Sequence, residues 1–307
     1  MNNMNESSSA TGDFEKNFLK RYELIGVLGR GGYGSVYAAK RIHDSLPVAV
    51  KFIQNFTGKM DPVDSQIPLE VSLLQRLSHI KGVVKLIETY RVQNSLFIIM
   101  ERSERSMDLR QFIKQKRLTP TLTQSFFRQL VTTVRECHIA GVIHRDIKPQ
   151  NIVVDLGTNT IKLIDFGCAS DFKEFYDEFS GTRTFMPPEI FRDHRCNGLA
   201  AETWSLGVTL FYMVTGRPLY ENVKQLRELE TRDIPLPMDV NMQCRDLLRD
   251  LLRFDWIERI SLEEALLHPY LLNYRSSSNN RMYHPRCLPG LLNRACLSRH
   301  RIQPDAQ

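Results

Sequence analysis

The chain has 307 residues and a formal net charge of +6, with 42% hydrophobic and 25% charged side chains, the balance of a globular protein rather than a fibrous or disordered one. No stretch approaches the roughly 18 uninterrupted apolar residues of a membrane span, and the opening residues lack the basic-then-apolar order of a secretory leader, so the expected location is cytoplasmic or nuclear, without membrane contact. Most of the positive excess sits after residue 272, where Arg275, Arg281, Arg286, Arg294, Arg299 and Arg301 face one acid, Asp305; the remainder is near neutral, which argues against nucleic-acid binding as the main role.

In chain order, residues 1–21 are polar, include Ser7-Ser8-Ser9, and are expected to be disordered. From Tyr22 to Glu101, β-branched and aromatic runs such as Val48-Ala49-Val50 and Leu96-Phe97-Ile98-Ile99 alternate with turn residues and read as strands. One helix interrupts them, with Pro68 as its first-turn residue and a stripe of Leu69, Leu73, Leu74 and Leu77. Beyond Glu101 the pattern turns helical. Phe127, Leu130, Val131, Val134 and His138 line one face of a long segment ending near Gly141. Short strands follow around 152–154 and 161–164, and the run Trp204 to Phe211, apolar nearly all round, reads as a helix buried within its lobe. Periodicity stops near Leu272. The expectation is an α+β chain with a small β-rich lobe over 22–101 and a larger helical lobe over 102–271. A ligand cleft lies between the lobes, and a basic, poorly ordered tail covers 272–307. Cys137, Cys168, Cys196, Cys244, Cys287 and Cys296 form no CxxC pair and no zinc-ligand spacing, so they are expected as free thiols in a reducing compartment.

Three groups of residues carry chemistry. Gly29, Gly31 and Gly34 form a GxGxxG in which backbone amides can approach phosphate oxygens closely. A dinucleotide-binding turn would continue into a helix, whereas Ser35 to Lys40 reads as a returning strand, so the glycines form a hairpin flap. In Val48-Ala49-Val50-Lys51, the lysine can bridge α- and β-phosphates when paired with an acid on the small lobe's helix, for which Glu70 is available. The third group is His144-Arg145-Asp146-Ile147-Lys148-Pro149-Gln150-Asn151, followed by Asp165-Phe166-Gly167. Phosphoryl transfer needs a carboxylate to orient the attacking hydroxyl, the role of Asp146, and oxygen ligands for Mg²⁺, the role of Asn151 and Asp165. Lys148 can neutralise charge on the moving phosphoryl group.

These motifs, over residues 22–271, resemble the eukaryotic protein kinase domain. The resemblance implies the bilobal protein kinase fold, with ATP and Mg²⁺ (or Mn²⁺) as cofactors. It implies ATP contacts from Leu28, Gly29, Gly31, Gly34, Val36, Ala49, Lys51, Met100, Glu101, Ser103, Asp108, Val153 and Ile164. Met186-Pro187-Pro188-Glu189 then closes the activation segment, with Pro187 where alanine is usual, and Glu189 pairs with Arg259. Lys148 together with Thr182 marks the serine/threonine branch. Leu163 to Gly167, Gly181-Thr182-Arg183, Pro187-Pro188-Glu189, Trp204 to Gly207 and Glu101 to Glu104 resemble, more narrowly, the Pim family of calcium/calmodulin-kinase-like enzymes. That likeness implies a monomer acting on serine and threonine in protein substrates with basic motifs. It also implies constitutive activity, with an acid among Asp171, Glu174, Asp177 and Glu178 standing in for a phosphate opposite Arg145.

The chain departs from the Pim pattern in several places. Ser103 stands where Pim kinases carry a connector proline, which restores an amide donor. Asp108 is retained, but Gln111 and Gln150 stand where acids are expected, and Arg217 and Lys224 lie in a region that is acidic in the family; these four weigh against basic substrates, with neutral drift at intact specificity as the alternative. Glu202 replaces an aspartate found in many kinases, at a position where the Pim family is itself unusual. Cys168 reads as a small packing residue, with a reactive thiol as the alternative. Ser170, Tyr176, Ser180 and Thr184 leave a phosphorylation switch open. Rival readings are a kinase-fold scaffold, which predicts loss of Lys51, Asp146, Asn151 or Asp165, and a small-molecule phosphotransferase, which predicts no long activation segment. All four residues and the segment are present.

Overall fold

Strand-favouring residues between Tyr22 and Glu101 pair into one antiparallel sheet in the computed structural model of the protein, which describes residues 18–31, 34–231 and 234–272. The strands are β1 (Tyr22–Gly31), β2 (Gly34–Arg41), β3 (Pro47–Ile53), β4 (Leu86–Val92) and β5 (Ser95–Glu101), in the order β1-β2-β3-β5-β4. Strand alternation divides their side chains between two faces. Val48, Val50 and Ile99 pack with Tyr22 and Ala39 in a small core on one face. Leu96, Ile98 and Met100 join the main core on the other. Residues 18–21, assigned by composition to a disordered segment, instead form a helical turn. Phe18 is the reason: it is buried in the small core, with ring centroids 5.3 Å from Tyr22 and 5.4 Å from Phe97. Composition averages over a single anchoring aromatic. The expected disorder of 1–17 and of the basic tail from 273 onward lies outside the described residues.

The helix α1 (Leu69–Arg76) turns Val71, Leu73 and Leu74 into the main core. Pro68 stands at its N-cap, not in its first turn, with φ −58° and ψ 138°; the fixed φ of proline suits either side of a helix start. The loop after α1 is stitched to the larger lobe. Leu163 N–H donates to the Gly82 carbonyl at 2.7 Å, and Val84 N–H donates to the Leu163 carbonyl at 3.0 Å.

The larger lobe opens with β6 (Ser106–Asp108), α2 (Leu109–Lys114), α3 (Pro120–Ile139) and β7 (Val142–Ile143). β8 (Ile152–Asp155) pairs with both β6 and β9 (Thr160–Leu163) in a three-stranded sheet. β10 (Ser170–Asp171) returns to β7, and β11 (Phe175–Tyr176) pairs with β12 (Cys196–Asn197) beyond the short α4 (Glu189–Asp193). α5 (Gly198–Thr215) is buried continuously from Glu202 to Phe211 and forms the centre of the lobe, as its all-round apolar pattern implies. Around it stand α6 (Val223–Glu230), α7 (Met242–Leu251), α8 (Leu262–Leu267) and α9 (Pro269–Leu272). One core is continuous through both lobes, from Leu73 and Ile98 through Phe166 to Trp204 and Leu271.

Candidate active site

Strand register brings the first set of site residues together. Val36 on β2 lies opposite Lys51 on β3, and Ala49 lies opposite Met100 on β5. Gly31 faces Gly34 across the β1–β2 hairpin, Gly29 faces Val36, and Leu28 stays half exposed on β1; Gly32 and Tyr33 lie outside the described residues. Gly34 adopts φ +121°, and a Cβ there would stand 2.2 Å from the Phe52 carbonyl oxygen, so only glycine lets the hairpin lie this close to β3. In the connector, the Glu101 carboxylate accepts from Lys85 N–H at 2.8 Å and from Lys162 Nζ at 2.5 Å. The Ser103 carbonyl accepts from Ser106 Oγ at 2.6 Å. Asp108 caps α2 by accepting from Gln111 N–H at 2.8 Å. Val153 on β8 pairs with Asp108, and Ile164 N–H donates to the Asn151 carbonyl, so these two positions are fixed relative to each other.

Lys51 is the hub of the small-lobe side. Its Nζ donates to both Glu70 carboxylate oxygens, at 2.7 and 2.9 Å, and to Asp165 Oδ1 at 2.8 Å. Burial works against the ammonium, but the two carboxylates outweigh it and hold the lysine pKa above its usual value. Burial also acts to raise Asp165, where the Lys51 charge and hydrogen bond win and keep its pKa below the ordinary range. Burial pushes the Glu70 carboxyl up against the opposing pull of Lys51. Asp165 reaches this position through a left-handed backbone, φ +62°, a conformation that costs a non-glycine residue energy and persists where the surroundings enforce it.

The second cluster surrounds Asp146. Its Oδ1 accepts from Thr182 N–H at 2.9 Å and Thr182 Oγ1 at 2.8 Å; its Oδ2 accepts from Lys148 Nζ at 2.6 Å and Asn151 Nδ2 at 3.0 Å. Lys148 Nζ also reaches Thr182 Oγ1 at 2.7 Å. Gly181 makes this possible: it has φ +126°, and a Cβ would lie 2.4 Å from the Arg145 carbonyl oxygen. His144 supports the loop from behind. Its Nε2 faces the Ile164 carbonyl at 3.0 Å and its Nδ1 accepts from Asp146 N–H at 3.2 Å, which requires the tautomer with the proton on Nε2.

The donor set suits a hard divalent cation. Asn151 turns its amide nitrogen to Asp146, and its Oδ1 accepts from no protein donor among the described residues. Together with the partly exposed Asp165 carboxylate, it offers the oxygen ligands that Mg²⁺ prefers. Cys168 is buried, which removes the solvent access that a reactive thiol needs.

One expectation is overturned. Asp171 pairs with Arg76 at 2.5 Å and Asp177 with Arg195 at 3.6 Å, and among the described residues no carboxylate forms an ion pair with Arg145. The Arg145 guanidinium instead donates to the backbone carbonyl of Glu178 at 2.8 Å and lies over the Tyr176 ring, 4.5 Å from its centroid. Glu202, a substitution noted in the sequence, accepts Arg145 N–H at 2.6 Å and meets His138 Nε2 at 2.6 Å. Away from the cleft, Arg259 grips Glu189 through two bonds of 2.9 Å.

The protein kinase domain model matches residues 22–271. The serine/threonine-protein kinase prk-2 of Caenorhabditis elegans is 39% identical over 272 residues, 87% of this chain and 60% of that protein, so the chain spans less than two thirds of this relative's length. The serine/threonine-protein kinase pim-2 of Danio rerio is 33% identical over 273 residues, 84% of this chain and 87% of that protein. A probable serine/threonine-protein kinase of Dictyostelium discoideum, MARK-A, is 30% identical over 261 residues, 82% of this chain and 24% of that protein. The chain belongs to the protein kinase family, in its serine/threonine branch, and within that branch it resembles the Pim kinases.

Proposed function

We propose that this chain is a Pim-like enzyme that transfers the γ-phosphoryl group of ATP to serine and threonine hydroxyls of protein substrates without prior phosphorylation of its activation segment. The observation that carries this reading is the complete bonding of both catalytic clusters in the unmodified chain. Lys51 holds Glu70 and Asp165, and Thr182 and Lys148 converge on Asp146. In this reading Asp146 accepts the proton of the substrate hydroxyl, and its four donors hold it on the line of attack. Lys148 balances charge on the transferred group, and Lys51 orients the α- and β-phosphates. Val36, Ala49, Met100, Val153 and Ile164 enclose the adenine, and the Ser103 amide supplies a hydrogen bond to it. A Mg²⁺ ion held by Asn151 and Asp165 would neutralise phosphate charge. The kinase domain is residues 22–271, working as a monomer in the cytoplasm or nucleus. Gln111, Gln150 and the exposed Arg217 and Lys224 favour peptides less basic than those of Pim kinases.

The test is phosphate transfer from labelled ATP to a degenerate serine/threonine peptide library, using protein shown by mass spectrometry to be unphosphorylated, with Asp146→Asn as control. Transfer by the wild type alone is expected. Mg·ATP binding without transfer would overturn the reading and favour a scaffold, and the selected peptides report charge preference.

A further inference from the structure

Arg145 sits beside the catalytic Asp146 and is held from two directions. Its backbone, at the left-handed φ of +68°, donates to Glu202 Oε1. Its guanidinium is held by two uncharged groups, the Tyr176 ring and the Glu178 carbonyl. A cation over an aromatic face gains most where water is excluded, and Tyr176 is buried. The ring is itself fixed on every side. Its hydroxyl donates to the Asp171 carbonyl at 3.0 Å, accepts from Lys173 N–H at 3.2 Å, and meets Ser170 Oγ at 3.1 Å. Its backbone pairs with Cys196, and the ring packs against Ile143 and Cys196. Gly198 admits the ring: a Cβ there would stand 2.7 Å from Tyr176 Cε2.

We infer that Tyr176 is the positioning residue of the activation segment, doing through its ring what a phosphate or an acidic side chain would otherwise do for Arg145. The side-chain charge of Glu178 plays no part, since only its carbonyl is engaged. The segment between Tyr176 and Thr182 is thereby pinned at both ends, at Arg145 and at Asp146, which presets the Thr182 contact to the catalytic carboxylate. The inference rests on the proposal that the unphosphorylated chain is active, and its test is arranged so that the two can fail separately.

Two measurements are made on the full unphosphorylated chain: kcat/KM on a peptide substrate, and hydrogen exchange of the amides in 177–185, which reads the order of the segment whether or not phosphate is transferred. Tyr176→Leu is expected to lower kcat/KM about tenfold or more and to speed exchange in 177–185. Glu178→Gln, which keeps the carbonyl, is expected to stay within about threefold of wild type with exchange unchanged; Tyr176→Phe, which keeps the ring but loses the hydroxyl's bonds to Asp171, Lys173 and Ser170, is expected to fall between wild type and Tyr176→Leu in both measurements. In an Arg145→Gln background, adding Tyr176→Leu is expected to cost less than about twofold further. A loss in Glu178→Gln as large as that in Tyr176→Leu would assign the role to charge and overturn the inference. A Tyr176→Leu effect undiminished in the Arg145→Gln background would reduce Tyr176 to ordinary packing and also overturn it. An inactive wild type whose exchange pattern still follows these expectations would defeat the proposed activity and leave the positioning role standing.

Discussion

Two of the places where the described residues bury charge do so in opposite ways. At Glu189 and Arg259 both side chains are 0% exposed. The guanidinium fork bonds both carboxylate oxygens, donates to the carbonyls of Ala200 and Arg253 at 2.6 and 3.0 Å, and lies over Trp204. Every partner is fixed and nothing is left for a ligand. At Lys51 one ammonium is shared between two carboxylates, and Asp165 keeps 32% of its side chain exposed. Arginine suits the first place because its planar fork matches a permanent acceptor set; lysine suits the second because a compact charge with rotatable donors can be redirected toward phosphate. The same element of physics, a paired charge in a poorly solvated site, serves permanence in one lobe and exchange in the other.

The contrast can be broken by mutation. Arg259→Ala leaves Glu189 buried without its counter-charge, and it is expected to lower the unfolding free energy by about 3–5 kcal/mol in a denaturant titration; a loss under about 1 kcal/mol would remove the structural role from this pair. Lys51→Met is the converse. It is expected to lower kcat/KM by about 100- to 1,000-fold while lowering the unfolding free energy less than Arg259→Ala does, because Asp165 stays partly exposed and Glu70, whose pKa burial already raises, can take up a proton when its partner is lost. Equal losses of stability in the two variants would erase the distinction.

Acid sharpens it further. Because the Asp165 pKa lies below the ordinary carboxylate value in the folded chain, its stabilising contribution is present above the unfolded pKa, about 4, and is lost as pH falls through the depressed value. The unfolding free energy of wild type is therefore expected to fall more steeply below about pH 4 than that of Asp165→Asn; parallel curves would mean that this aspartate is not held by Lys51. The smallest effect belongs to the connector. Ser103→Pro removes one amide donor and is expected to weaken ATP binding by about two- to tenfold, measured calorimetrically; unchanged affinity would show that the amide makes no bond to the nucleotide.

How much was legible beforehand follows from how local each feature is. Asp146, Lys148 and Asn151 share one short loop, so their convergence could be read from spacing. Lys51, Glu70 and Asp165 come from three separate elements; the Lys51–Glu70 pair was predictable because Glu70 was the acid available on the small lobe's helix, whereas the bond from Lys51 to Asp165 appears only in three dimensions. The partner of Arg145 was misread because charge was the only visible criterion. Four acids stood in the segment, whereas the residue that meets the guanidinium is an aromatic whose orientation depends on the β11–β12 pairing and on the missing side chain at Gly198. Gly181 was visible as part of a motif, but its reason, the close approach to the Arg145 carbonyl, exists only in three dimensions. Phe18 was lost in a polar segment because a compositional average gives no weight to one well-placed ring.

The stitch between the loop after α1 and Leu163, together with the core that continues through both lobes, also has a calorimetric consequence. The five-stranded sheet has no separate core large enough to outlast its neighbour, and the bonds at Gly82 and Val84 tie its helix to the strand that precedes Asp165. Heat should therefore find one transition, with the calorimetric enthalpy equal to the van't Hoff value. Two resolved peaks would mean that the lobes melt as independent bodies.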